Sequence, residues 1–463
     1  MTAIKLRNKV MRMIRKSIDA ASRRIYYKSP VVIQHALTSA YGYKLKRERY
    51  GDNYYKALDM YTNKESDDHQ ALIDFMHHLK THIPVYKNID VDEADILNSF
   101  LKLPKTTKSQ LRYELDARSY KKGQIRFSGT SGTTGASLAV YDSEYDRAKR
   151  MAYLDYIKRR NGVEPFSRRA SFSGQELTPP NHRNHLWRYN LAMNQLLYAS
   201  YHLSPKNISD VYKSLAHFRP LSIDGFPSAI HMVAKYILAN NITIDWQVES
   251  IFPNAETLLP QMKRDIELAF HTTVVDQYAS GEGAPFIYSI ADGTYELGRE
   301  TGIFEFEKVE RNIYEMVVTS LINTATPIVR YRIGDHVEIH SDRPYLNSFS
   351  DDIRITRIIG RQADYLLGSN HNRVSSVAMA RVVEGIEDKV KSFQFVQKDL
   401  THFIVNMVID RGYDEKTERL FTNRVRRRLG INNHYQFNYL DSMPHEKSGK
   451  VRFIINELGI DHA

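Results

Sequence analysis

The residues best suited to binding a phosphate lie between two short apolar segments, Ile125–Phe127 and Leu138–Tyr141. Glycines let the backbone turn and expose its N–H groups, and hydroxyl side chains add donors, so such a loop can wrap a polyphosphate. It is not the loop of P-loop NTPases, because no Lys follows its last Gly. A flexible linker is the alternative, although linkers rarely separate two apolar strands. The loop consists of Thr130, Ser131, Gly132, Thr133, Thr134 and Gly135.

Three later segments also contain charged or aromatic residues that could take part in chemistry. Asp276–Glu282 places Tyr278 and a carboxylate, Glu282, around small residues. Pro327–Asp335 holds Arg330, Arg332 and Asp335, and Pro444–Lys450 ends the chain's last turn on a lysine. Taken singly, Glu282 and Lys450 could be solvated surface charges, and each arginine could be a structural ion-pair partner as well as a ligand.

An α/β body must position these segments, because strand-like and helical patterns alternate through the middle of the chain. Such alternation predicts βαβ units and a parallel sheet. Between Gly302 and Ile339 the pattern changes to short strands with turns, which predicts a smaller β unit. The predicted strands are Leu221–Ile223, Ser250–Phe252 and Thr273–Val275, and the predicted helices are Ser143–Arg160, Ser228–Ala239 and Leu259–Phe270.

The two ends of the chain have different patterns. From Pro30 to about Leu101 the sequence predicts helices with short breaks, including one over Asp67–His82. From about Arg361, strand and helix patterns predict a separate unit of roughly one hundred residues. Its predicted elements are strands Phe393–Gln397, Phe403–Ile409 and Tyr435–Tyr439 and helix Glu415–Leu429.

Composition excludes several classes of protein. The chain has 463 residues, of which 42% are hydrophobic and 26% charged, as in ordinary globular proteins. It contains no cysteine, so it has neither disulfides nor a thiolate zinc site. We expect no membrane span, because no apolar run is long enough, and no signal peptide, because the N-terminus is basic without an apolar core. These features predict a cytoplasmic protein.

The basic charge of the chain is concentrated at the N-terminus. Residues 1–50 contain 13 Lys or Arg and 2 Asp or Glu, so the formal charge of +11 of the whole chain resides there. This localisation argues against a nucleic-acid-binding surface spread over the body. Residues 3–27 predict a basic amphipathic helix, which could lie on an anionic membrane surface or dock on the body with its basic face in solvent.

Taken in order, the motifs resemble those of the adenylate-forming superfamily, and most closely its phenylacetate–CoA ligase branch with its capsular and exopolysaccharide-associated relatives. The resemblance spans roughly residues 30–455 and begins with the lead-in Leu103–Arg112 before the glycine-rich loop. It implies a large N-terminal α/β domain with a small β unit, followed by a small, mobile α+β domain. The implied boundaries are 1–100 for the arm and first helices, 101–358 for the ATP- and acid-binding core, and 359–463 for the C-terminal domain.

The resemblance also implies roles for single residues. Thr130–Gly135 would hold the β- and γ-phosphates of ATP, Ala255 and Glu256 would lie beside the adenine, and Tyr278 would stack on it. Glu282 would hold Mg²⁺, an oxygen-seeking ion, and Asp335 would accept hydrogen bonds from the ribose hydroxyls. Ala136 and Ser137 stand where the family often has Lys-Pro, and Ala279 and Gly281 stand for its Gly and Ser.

The C-terminal motifs carry the remaining implied roles. Ile359–Asp364 resembles the hinge between the domains, with Arg361 among the nucleotide-binding residues, but Ala363 replaces the usual hinge carboxylate. Lys450 occupies the position of the catalytic lysine of the terminal Ser-Gly-Lys motif, whereas Lys447 does not. The positive charge of Lys450 would stabilise the negative charge that develops at the α-phosphate.

The implied function is ATP-dependent adenylation of a small-molecule carboxylic acid, with CoA as acyl acceptor and AMP and pyrophosphate as products. We expect the acid near Asp224–Ser228, with Phe226 and Phe286 as pocket walls or as core residues. Two alternatives stay open: transfer to a hydroxyl or amine in polysaccharide or cell-envelope biosynthesis, and a non-catalytic, membrane-peripheral nucleotide-binding protein.

Overall fold

The N-terminal part of the protein is helical, as its pattern predicts. The computed structural model describes residues 25–63, 67–123, 125–129, 139–173, 177–178, 185–256, 258–361, 365–368, 373–375, 379, 381–383, 386, 389–444 and 452–458. The predicted helix over residues 3–27 therefore lies almost entirely outside the described residues. The first helices are α1 (Val31–Arg49), α2 (Asp52–Asn63), α3 (Asp68–His82), α4 (Ile96–Leu101) and α5 (Lys108–Tyr113).

A hairpin and a long helix follow. Strands β1 (Ile125–Gly129) and β2 (Ala139–Ser143) pair antiparallel and flank the glycine-rich loop. Helix α6 (Glu144–Arg160) begins at a capping box, in which Ser143 accepts from the Asp146 N–H and Asp146 accepts from the Ser143 N–H. This reciprocal pairing satisfies two N–H groups at the helix start, which confirms the predicted boundary.

The next sheet is mostly parallel, as the predicted βαβ units require. Its spatial order is β4-β5-β3-β6-β7-β8, and only β4 runs antiparallel to its neighbour. Helices pack their apolar sides against it. The elements are β3 (Arg169–Ser173), β4 (Trp187–Asn190), β5 (Gln195–Ala199), α7 (Ile208–Phe218), β6 (Ser222–Gly225), α8 (Pro227–Ala239), β7 (Ser250–Pro253), α9 (Pro260–Phe270) and β8 (Thr273–Val274).

Two antiparallel sheets complete the large part of the chain. One has the order β11-β10-β9 and the other the order β15-β12-β13-β14-β16. The second contains the predicted small β unit and extends it by an edge strand on each side. The strands are β9 (Gln277–Tyr278), β10 (Ile287–Ser289), β11 (Tyr295–Leu297), β12 (Gly302–Glu310), β13 (Ile313–Ser320), β14 (Tyr331–Glu338), β15 (Tyr345–Asn347) and β16 (Arg357–Arg361).

The C-terminal region has its own core. A four-stranded sheet of order β21-β20-β19-β22 packs against α10, whose Phe421, Val425 and Leu429 are buried with Phe395. This sheet is mixed, because β20 and β19 pair antiparallel while β21 and β22 run parallel to their neighbours. The elements are β17 (Tyr365–Leu367), β18 (Arg373–Ser375), β19 (Val390–Gln397), β20 (His402–Ile409), α10 (Glu415–Leu429), β21 (His434–Tyr439) and β22 (Ile454–Asn456).

These elements confirm the expected mixed α/β architecture and the α+β character of the C-terminal unit. Of the six strands in the mostly parallel sheet, the prediction named β6, β7 and β8 but not β3, β4 or β5. Within the described residues, every helix is too short or too polar to cross a bilayer.

Candidate functional site

Four of the sequence motifs meet around one hydrophobic cluster. Leu111 of the lead-in, Val140 at the end of the glycine-rich hairpin, Ala284 after the acidic turn, and Tyr331 of the arginine motif are all buried in it. Because Val140 of β2 is buried in this cluster, the described base of the hairpin packs in the same core as Ala284, two residues after Glu282, and as Ile333 and Val337, which flank Asp335 on β14. The loop itself lies outside the described residues, so its assignment to the phosphates stays a prediction.

The lead-in segment is joined to the arginine motif through its backbone. The Thr106 N–H donates to the Arg330 carbonyl at 2.9 Å, and the Arg332 N–H donates to the Thr106 carbonyl at 2.9 Å. Thr326 ties the hairpin to the same motif, because its hydroxyl accepts from the Tyr141 N–H at 2.9 Å. These bonds explain why segments more than 200 residues apart share one site.

Helix α6 is fixed to the same motif by a buried carboxylate. Asp146 accepts from the Thr324 N–H at 2.9 Å, from the Thr324 hydroxyl at 2.7 Å and from the Ala325 N–H at 3.1 Å. The residue that caps α6 therefore also holds the turn before the arginine motif. The base of the hairpin, the start of α6 and this turn form one connected unit.

Tyr278 and Asp335, the predicted adenine and ribose residues, are in direct contact. The Tyr278 hydroxyl donates a hydrogen bond to Asp335 Oδ2. Tyr278 lies on the short strand β9, and Asp335 is a buried residue of β14. The structure thus brings together two residues that are 57 positions apart in the chain.

Asp276, the first carboxylate of the segment Asp276–Glu282, stabilises the fold. Burial raises the pKa of the Asp276 carboxyl, although the Tyr295 hydroxyl donates to it at 2.7 Å and opposes this effect. The Asp276 N–H also donates to the Ser289 hydroxyl at 2.8 Å. Asp276 therefore holds β9 against the neighbouring hairpin.

Glu282 is buried in a tight turn that an arginine supports. The Gly283 N–H donates to the Ser280 carbonyl at 3.2 Å, and Gly283 has a φ of +92°, a conformation that favours glycine. Arg150 donates to the carbonyls of Ser280 at 3.1 Å and Ala284 at 3.4 Å. Burial lowers the pKa of the Arg150 guanidinium, and nearby carboxylates, including Glu282, oppose this effect.

Sequence reasoning missed Arg150. Its position in α6 is flanked by the charged residues Arg147 and Lys149, so no local pattern distinguishes it. A single buried carboxylate suits a Mg²⁺ ion that takes its other ligands from phosphate oxygens and water. The donor chemistry of Glu282 therefore fits the predicted ion.

The Ala255–Glu256 turn lies at the start of α8. Ala255 has a φ of +65°, and Glu256 accepts from the Ser228 N–H at 3.2 Å. The Asn254 N–H donates to the Gly225 carbonyl at 2.8 Å. The structure thus places the predicted adenine-side turn directly beside the segment predicted to hold the acid.

In the segment Asp224–Ser228, predicted to lie near the acid, the charged and aromatic side chains stabilise the fold. Lys158 Nζ lies 3.4 Å and Arg169 Nε 3.3 Å from Asp224 Oδ2. Burial favours a higher pKa for Asp224, but these two cations outweigh it and hold the pKa below its usual value. Phe226 and Phe286 are both buried in hydrophobic clusters, which is the core alternative for each.

The two arginines of the motif form ion pairs. Arg330 makes a bidentate pair with Glu305, with Nε–Oε1 at 2.9 Å and Nη2–Oε2 at 2.7 Å, and also donates to the Leu103 carbonyl at 2.6 Å. Arg332 pairs with Glu307 and Glu315. The structure therefore favours the structural role for both.

The predicted hinge segment begins next to Asp335. In the pairing of β14 with β16, Arg361 is the partner of Asp335. Ala363 and Asp364 lie outside the described residues, as does Lys450. Among the described residues that follow Lys450, the Arg452 carbonyl accepts a hydrogen bond from the Gln394 side chain at 2.8 Å, and β22 comes next in the C-terminal sheet.

Comparison with known proteins agrees with this architecture. Residues 366–457 match the family model of the CapK C-terminal domain. Protein CapK of Staphylococcus aureus is 35% identical over 448 residues, which cover 94% of this chain and 99% of that protein.

Solved structures show the same fold. 2-Hydroxyisobutyryl-CoA ligase in the postadenylation state superposes with a TM-score of 0.61 in complex with R3-HIB-AMP and 0.58 in complex with 2-HIB-AMP. In both cases the identity is 14%, and the match covers 84% of this chain and 89% of the ligase. The expected adenylate-forming fold, with a separate C-terminal domain, is therefore confirmed. The near full-length similarity to protein CapK makes this chain a member of the CapK family.

Proposed function

We propose that this protein is an ATP-dependent enzyme that adenylates a carboxylic acid and transfers the acyl group to CoA. The observation that carries the proposal is the convergence of four motif segments on one hydrophobic cluster, with Tyr278 in contact with Asp335 beside it. A nucleotide placed along this contact would have its base at Tyr278 and its ribose at Asp335. Its phosphates would extend toward the turn of Glu282 and the glycine-rich loop.

The chain's residues would act mainly by positioning and by neutralising charge. A carboxylate oxygen of the acid attacks the α-phosphorus of ATP in line, the bond from that phosphorus to the bridging oxygen breaks, and pyrophosphate leaves. Thr130–Gly135 would hold the departing phosphates. Lys450 would stabilise the charge on the attacking and α-phosphate oxygens. Mg²⁺ held by Glu282 would neutralise phosphate charge when bound.

We further propose that residues 359–463 rotate about the hinge between the two half-reactions. Residues 1–100 and 101–358 would form the arm with the first helices and the ATP- and acid-binding core. Arg361 supports this arrangement, since its strand pairs with Asp335 and any hinge movement starts beside the ribose site. Few residues need to absorb the change in dihedral angles.

The acyl acceptor separates the leading proposal from an alternative. Ala363 removes the family's hinge carboxylate, and the relative found over nearly the full length is protein CapK. Both observations favour, as the second candidate, transfer to a hydroxyl or amine in polysaccharide or cell-envelope biosynthesis.

Pyrophosphate release tests the proposed function. We expect release with at least one member of a panel of aryl and aliphatic acids, only when that acid is present, and consumption of CoA thiol in proportion. Release without thiol consumption would reject CoA and support the alternative acceptor. No release with any acid, despite ATP binding, would support a non-catalytic nucleotide-binding protein.

Two substitutions test the nucleotide site. We expect Thr134→Val and Asp335→Ala each to weaken ATP binding by about 10- to 100-fold, because each removes hydrogen bonds to a bound phosphate or ribose. Isothermal titration calorimetry measures the change. Asp342→Ala, an exposed carboxylate that follows the same β unit, is the matched control and should bind ATP as the unmodified chain does. Unchanged affinity in both site variants would refute the nucleotide assignment.

A further inference from the structure

The buried residues of helix α1 are polar or glycine, whereas most of its apolar residues face solvent. An amphipathic helix on a globular protein normally shows the reverse arrangement. The buried residues of α1 are Gln34, Ser39 and Gly42. Exposed apolar residues form a continuous face on the opposite side: Val32, Ile33, Ala36, Leu37, Ala40, Tyr41 and Tyr43.

Specific hydrogen bonds hold the polar side of α1 against strand β4. The buried Arg188 Nε donates to Gln34 Oε1 at 2.7 Å, and the Leu191 N–H donates to the Ser39 hydroxyl at 3.1 Å. A side chain at Gly42 would collide with Asn190, whose Oδ1 lies 2.0 Å from the position of an added Cβ. The helix therefore cannot rotate to bury its apolar face without breaking these contacts.

The outer face is large enough to bind a partner. Val32 is 77% exposed, Ile33 47% and Leu37 45%. From Val32 to Arg47 the exposed residues extend along four turns of helix, or about 22 Å. Isolated exposed apolar residues are common, but a contiguous apolar patch of this kind marks an interaction site.

Charge identifies the partner. Lys44 and Arg47 are exposed at one end of the face, and Lys28 is exposed just before its other end. Residues 25–49 contain five Lys or Arg and one acidic residue, Glu48, which pairs with Arg126. An apolar face with tyrosines and flanking basic residues matches an anionic lipid surface, because apolar side chains enter the interface while Lys and Arg contact the headgroups.

A second copy of the chain fits this face less well. Basic residues lie at both ends of the face, so parallel and antiparallel pairing of two copies would each place like charges together.

We propose that the outer face of α1 docks this protein on an anionic membrane surface. The face extends the apolar and basic pattern predicted for residues 3–27 into a part of the chain whose structure is described.

Vesicle binding of the full-length chain tests the proposal without ATP or an acid, so its outcome is independent of the proposed enzymatic function. We expect co-sedimentation with phosphatidylcholine vesicles that contain phosphatidylglycerol, weak binding to phosphatidylcholine alone, and release as salt rises. Ile33→Glu/Leu37→Glu should lower the partition coefficient at least tenfold. Leu268→Glu on α9, at a residue that is 61% exposed, is the matched control and should change nothing.

A second variant keeps the apolar face intact and changes only polar surface positions. Lys44→Gln/Arg47→Gln should lower binding to the anionic vesicles by about 25-fold, because each basic residue near the surface contributes about fivefold. Unchanged thermal unfolding of both double variants shows that the fold is retained.

Three results would overturn the proposal. One is absence of vesicle binding by the unmodified chain. Another is unchanged binding by Ile33→Glu/Leu37→Glu, because docking would then depend on residues outside α1. If Arg12→Glu/Arg15→Glu abolished binding in that case, those residues would lie in the N-terminal arm. The third is a dimer in analytical ultracentrifugation that Ile33→Glu/Leu37→Glu dissociates without affecting vesicle binding, since the face would then join two copies.

Discussion

Replacing Lys450 with alanine lowers the rate of acyl-adenylate formation by about 10²- to 10³-fold. The expected size is that of removing one group that stabilises charge developing in a transition state. ATP affinity should change little, because in the proposed mechanism the lysine would act on the reacting oxygens rather than on the adenine or ribose. Single-turnover pyrophosphate release, with an acid found active in the panel, measures the rate.

Lys447 provides the control for Lys450. The two lysines are three positions apart in the sequence, so Lys447→Ala removes an equal charge from the same short segment. We expect it to retain at least half of the activity. Equal losses in the two variants would show that the segment contributes only general positive charge, and full activity of Lys450→Ala would refute its catalytic role.

Replacing Glu305 with alanine lowers the free energy of unfolding by about 3–5 kcal/mol, because it leaves a buried guanidinium without its counter-charge. The side chains of Glu305 and Arg330 are 1% and 10% exposed. Glu305 also accepts from the Tyr345 hydroxyl at 2.7 Å, so the substitution removes a second buried hydrogen bond. Urea unfolding monitored by the fluorescence of Trp187 and Trp246 measures the loss.

An exposed ion pair of similar geometry is the control. Arg159 Nε lies 2.8 Å from Glu164 Oε2, but the two side chains are 36% and 67% exposed. We expect Glu164→Ala to cost less than about 1 kcal/mol, because water already screens this pair. If Glu305→Ala unfolded like the control but lost ATP affinity, Arg330 would be a ligand rather than a structural residue.

Local patterns were sufficient where a helix or strand carries its own start signal and periodicity. Helix α10 was predicted at its observed bounds, Glu415–Leu429. In the structure Asp414 caps it, and Phe421, Val425 and Leu429 are buried on one side. The start of α6 followed from Ser143 in the same way. Strand β4 was missed because it contains the charged Arg188, whose burial depends on Gln34, 154 positions away in the sequence.

In the candidate site, too, some features follow from the sequence and others only from tertiary contacts. Motif order was enough to predict that Tyr278 and Asp335 act on one nucleotide, and the structure places the two side chains in contact. No motif could decide whether Arg330 binds a ligand or a carboxylate, because its partner Glu305 lies on β12, which β13 separates from β14. Arg150 carries no sequence signal, since its contacts to Ser280 and Ala284 exist only after the chain folds.

From the sequence alone, we determined the classes of chemistry that the loops could perform and the α/β alternation that must support them. Both depend on residues that are close together along the chain. Only the tertiary structure decided which charges are already used in buried pairs, as at Asp224 and Arg330, and which side of α1 faces solvent. The physical reason is that burial and pairing depend on partners brought together by packing, and local propensity carries no information about them.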